Sequence, residues 1–68
     1  MTEQNSKRKP KAKLIGADSN IFNLLGIANA ALRKAGMVDQ IKEMNERVLA
    51  SHSFDEALGI IVEYVDAH

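Results

Sequence analysis

The chain is 68 residues long, 46% apolar and 26% charged, with a formal net charge of zero and no cysteine. That length holds one domain, which buries only about 60% of its unfolded surface, and the missing cysteines exclude a disulfide framework, a thiolate zinc site and a thiol nucleophile. The neutral total hides a separation. Residues 1–13 carry five cations against Glu3, net +4, and residues 14–68 carry four cations against eight acids, net −4.

Met1 to Ala12 lacks hydrophobic periodicity and contains Pro10, so residues 1–12 are expected to be a disordered basic arm and residues 13–68 a single small helical domain. Lys7, Arg8, Lys9, Lys11 and Lys13 form a basic cluster able to hold a phosphate backbone by counterion release. The plainer reading of the same charges is a solvated tail, and no aromatic residue interleaves them for base stacking. The segment Lys13-Leu14-Ile15-Gly16 reads as extended. One strand cannot stand alone, so it pairs with the C-terminal end, pairs with a second copy, or serves as a lead-in.

The strongest signal spans Asp18 to Gly36. Ile21, Leu24, Leu25, Ala28, Leu32 and Ala35 recur at the three–four spacing of one helical face, and Phe22, Ile27 and Ala31 widen it. Asp18 or Ser19 can cap the start, Arg33 and Lys34 suit the last turn, and Gly36 suits the left-handed residue that closes a helix. Gly26, inside the helix, is expected to mark a close helix crossing or, less often, a ligand near the backbone.

A second helix is expected over roughly Val38 to Ala50, with Met37, Ile41, Met44 and Val48 on one face and Leu49 beside them. Asp39 complements its first turn, and Glu43 and Arg47 sit four apart as an ion pair. Ser53 and Glu56 then fit a capping box opening a third helix, whose inner face is Phe54, Ala57, Leu58, Ile61 and Val65. That helix is expected to run to about Tyr64, with the last residues either helical or extended against Leu14 and Ile15.

The segment Leu14-Ile15-Gly16-Ala17-Asp18-Ser19-Asn20-Ile21-Phe22, the later Leu25-Gly26 and Ala31-Leu32-Arg33-Lys34-Ala35-Gly36, and the closing Tyr64-Val65 resemble small uncharacterised proteins of phages and mobile genetic elements. Those chains open with a strand, an acidic Gly-containing turn ending in Asn, and a helix closing at Ala-Gly. Ala17 and Ser19 depart from the pattern, where an acid and a Gly are common. The resemblance covers roughly residues 13–66 and implies a mobile-element setting and a βααα-like layout, with no activity attached.

The chemistry-bearing residues are sparse. Only His52 and His68 could begin a metal site, on a connection and at the chain end. Asp18-Ser19-Asn20 lacks the Gly and the twelfth-position Glu of a calcium loop. Ser51, His52 and Ser53 are chain neighbours, which fixes no triad geometry, and no Gly-rich phosphate loop is present. No catalytic residue, metal or cofactor is expected, and the chain reads as no enzyme. A helix-turn-helix reader is disfavoured because the second helix exposes Asp39, Glu43 and Glu46 against Lys42 and Arg47, and the third exposes acids only.

The expected fold is mainly α: a compact three-helix bundle with one short N-terminal strand. No apolar run is long enough to span a membrane and the N-terminus has no apolar signal region, so a soluble, cytoplasmic protein without a membrane partner is expected. Phe22, Ile27, Ile60, Val62 and Tyr64 lie off the main stripes and are expected to form a protein interface. The favoured function is a protein-interaction module that self-associates as a homo-oligomer. The alternatives are a nucleic-acid accessory protein using the basic arm and an acidic-bodied inhibitor of a nucleic-acid-binding protein.

Overall fold

The computed structural model describes residues 9–68. Three helices, α1 (Ile21–Lys34), α2 (Val38–Leu49) and α3 (Phe54–Tyr64), pack pairwise around one core, and two short strands, β1 (Lys11–Ala12) and β2 (Asp66–Ala67), join the ends of the described chain as a parallel pair. The fold is the expected mainly helical bundle with a short strand.

The strand lies earlier than expected. Lys11 stands beside Asp66 and Ala12 beside Ala67. The Asp66 amide donates to the Pro10 carbonyl at 2.8 Å and the His68 amide to the Ala12 carbonyl at 3.0 Å. The amides of Leu14 and Ile15 both donate to the His68 carbonyl at 2.9 Å, so this segment meets the C-terminal end without forming the strand itself. Ordered structure therefore begins inside the segment expected to be a disordered arm. The reason is a period-two pattern written in weak residues: Ala12 and Leu14 are buried while Lys9, Lys11 and Lys13 face outward. The rest of that arm, with Lys7 and Arg8, lies outside the described residues.

Helix α1 starts two residues later than Asp18 would set it. Asn20 is its cap, its side-chain oxygen accepting from the Phe22 amide at 2.8 Å. Asp18 instead shapes the approach, accepting from the Asn20 amide through its side chain and from the Asn23 amide group through its carbonyl. The helix closes on Gly36 at φ 77°, with the Gly36 amide donating to Arg33 and the Met37 amide to Leu32. Both bonds satisfy carbonyls that the last turn would otherwise leave bare.

Gly26 marks no helix crossing among the described residues: it is exposed, and no described atom beyond its own helix lies within 4 Å of where a Cβ would stand. With room for a methyl and a helical backbone that gains from losing glycine's freedom, Gly26→Ala is expected to stabilise the chain by about 0.5–1 kcal/mol. A rise in thermal midpoint checks it; a fall would mean that the site is occupied.

The core is Leu24, Leu25, Ala28 and Leu32 of α1, Met44 and Val48 of α2, and Ala57, Ile60, Ile61 and Tyr64 of α3, closed by Ala12, Leu14 and Val65. No described polar or charged residue is buried. The buried face of α3 is turned from the expected one, since Ile60 and Tyr64 join it and Phe54 leaves it. The helix faces both α1 and α2, so its apolar stripe is wider than one face. Ser53 caps α3 by accepting from the Glu56 amide at 3.1 Å, but the Glu56 carboxylate reaches back to the His52 amide, one residue beyond the reciprocal partner.

Candidate functional site

Six large apolar side chains stay exposed among the described residues: Ile15 (73%), Phe22 (67%), Val38 (59%), Leu49 (67%), Phe54 (43%) and Val62 (36%). Five of them converge. A groove of about 570 Å³ runs between the start of α1 and the α2–α3 connection, walled by Phe22, Leu49 and Phe54 over Val48 and Ala57. A second, of about 330 Å³, is walled by Ile15, Phe54 and Val62 over Leu14, Leu24 and Leu58. The two share Ser19 and Phe54, so they form one continuous face.

Local chain geometry explains why these residues stay out of the core. Phe22 and Phe54 occupy the first turns of α1 and α3, beside the capping residues Asn20 and Ser53. Leu49 is the last residue of α2, one step past the buried Val48. Ile15 follows the buried Leu14 as a corner residue of the turn that the Ala17 amide closes by donating to the Leu14 carbonyl at 3.1 Å, with Gly16 at φ 89°.

The interface expected from sequence is therefore partly corrected. Phe22 and Val62 are exposed on this face. Ile60 and Tyr64 are core residues, and Ile27 packs partly buried against the core. Leu49, Phe54 and Ile15 were missed. No local signal separated them: Ile21, directly after the cap Asn20, packs partly buried against the core, whereas Phe54, directly after the cap Ser53, stays exposed.

On another side of the bundle α2 and α3 are tied by charge. Arg47 reaches across to Glu63 with bonds of 2.7 and 3.2 Å and donates to the Tyr64 hydroxyl at 3.1 Å. That hydroxyl donates to Glu43 at 2.9 Å. Arg47 also lies over the Tyr64 ring, 5.7 Å from its centre. The expected Glu43–Arg47 pair within α2 is thus replaced by one bridged through Tyr64. The Arg47 hydrogen bond holds the Glu63 carboxyl below the ordinary glutamate value of 4.5, with further help from the charges of Arg47 and Lys9.

A depressed carboxyl favours the folded state above its ordinary titration range, and that contribution is lost as pH falls through the lowered folded value. Glu63→Gln is therefore expected to flatten the decline in thermal midpoint as pH drops from about 5 toward 3. An unchanged acid limb would show that the pair adds nothing in solution.

Part of the basic cluster is held against the body. Lys9 donates from Nζ to the Val62 carbonyl at 2.8 Å, near the end of α3, and Lys11 stands in register beside Asp66. Lys13 is exposed. His52 is exposed at the α2–α3 connection, and among the described residues no group of three or more His, Asp or Glu is placed to hold a metal ion.

The chain matches no family model, and no curated protein or solved structure is significantly similar to it.

Proposed function

We propose that this chain is a small, non-enzymatic protein-interaction module that works in the cytoplasm and binds through the face formed by Ile15, Phe22, Leu49, Phe54 and Val62. The observation that carries this reading is convergence: five of the six large apolar side chains exposed among the described residues line two adjoining grooves. Scattered apolar residues on a surface are ordinary, but a contiguous patch usually marks a contact with protein. Self-association belongs to this reading.

The test is affinity capture on the immobilised chain. Phe22→Asp is expected to lose the proteins that the native chain retains, and Val38→Ser, altering an exposed apolar residue outside both grooves, is expected to keep them. Retention that ignores Phe22→Asp would sink the reading.

A second reading is supported by the outward row of Lys9, Lys11 and Lys13 along the β1 segment, which suits an anionic backbone. The acids beside Lys9 and Lys11 weigh against it. It predicts that changing both Lys11 and Lys13 to Gln lowers the salt slope of nucleic-acid binding by about 2. No measurable binding by the native chain at low salt would remove it.

A further inference from the structure

We infer that the occupant of the apolar face is a second copy of this chain, seated face to face across a two-fold axis. This rests on the interaction-module reading above and narrows it to one partner.

Charge is the first argument. None of the described residues lining the two grooves is Lys, Arg, Asp or Glu, in a chain that is 26% charged. A two-fold contact brings the same patch of both copies together, so a charge near the axis meets its own like charge. This face carries no such penalty. The rest of the described surface carries seven cations and eight acids, all exposed, so a two-fold contact made elsewhere would set some of these charges against their own copies.

Area is the second argument. A whole aromatic side chain presents roughly 150–250 Å² and an aliphatic one less, so the exposed fractions of the five residues leave a few hundred Å² of apolar surface. A standard interface takes about 800 Å² per partner, so these five supply a substantial part of it, and the uncharged serines, Asn20 and small residues around them extend it. A chain this short also has little core of its own, and association adds apolar burial that the monomer lacks.

The experiment is sedimentation equilibrium of the full chain from about 1 µM to 1 mM, with circular dichroism of every variant as a check on folding. The native chain is expected to reach twice its monomer mass. Phe22→Asp puts a carboxylate in the first turn of α1, and Leu49→Lys puts a cation at the end of α2, both favourable to their helices. Each is expected to weaken the dimer about tenfold or more with helicity unchanged, because a charge must be desolvated opposite its own copy. Val38→Ser is expected to change it less than about twofold. A native chain that stays monomeric throughout overturns the proposal, as does a dimer indifferent to Phe22→Asp and Leu49→Lys. If a monomeric chain still retains another protein that Phe22→Asp loses, only the second copy is overturned; if it retains none, the module reading falls too.

Discussion

Replacing Ile61 by Ala is expected to lower the thermal midpoint by about 10–30 °C, while Val38→Ala changes it by no more than a few degrees. Ile61 is fully buried in α3, the helix that packs against both α1 and α2. Its truncation removes buried methyl groups and leaves a cavity that the surrounding side chains fill only in part, at about 2–5 kcal/mol. A domain of this size has a total stability of roughly 3–10 kcal/mol, so one side chain carries a large share of it. Val38 is of similar chemistry but is 59% exposed at the start of α2, and its loss opens no cavity. Thermal unfolding followed by circular dichroism reads both. A melt of Ile61→Ala within a few degrees of the native chain would mean that α3 does not turn this face inward.

The contrast shows which parts of the fold were legible. Gly36 with Arg33 and Lys34 marked the end of α1 because a left-handed closure needs glycine and the dipole favours cations there; the structure closes the helix on that residue. Ser53 marked the start of α3 for a comparable local reason. Both signals act within a few residues of chain, where composition and backbone geometry are tightly linked.

What was not legible depends on partners distant in sequence. Glu43 sits one turn before Arg47, yet Arg47 extends to Glu63 and Tyr64, 16 and 17 residues away. Periodicity cannot say which neighbouring helix a long side chain will reach. Ile60 and Tyr64 looked surplus to a single stripe, but α3 is flanked by two helices and buries both. Phe54 had the right spacing for the core, but at the first turn of α3 it stays 43% exposed. The candidate face was accordingly foreseen in kind and in Phe22 and Val62, while its other three members came from packing alone.

A chain beginning at residue 13 is expected to lose about 2–4 kcal/mol of stability. The loss combines the bonds from Asp66 and His68 to the β1 segment, about 0.5–1.5 kcal/mol each, with burial of the Ala12 methyl, about 0.8 kcal/mol, and the Lys9 bond to the Val62 carbonyl. Ala12→Asp is expected to cost at least as much, since it places a carboxylate at a buried position, where no described charged residue is buried to receive it. Changing Lys11 and Lys13 together to Gln should cost less than about 0.5 kcal/mol, because both side chains are exposed. Chemical denaturation of the three variants separates these effects, and a truncated chain as stable as the native one would show that the terminal sheet contributes nothing. The ordering also governs how nucleic-acid binding must be tested. Deleting the basic segment removes charge and a piece of the fold at once, so lost binding would not distinguish them. The double Gln variant removes charge alone, and only a loss of binding in that variant, with its melt unchanged, would assign contact with phosphate to these lysines.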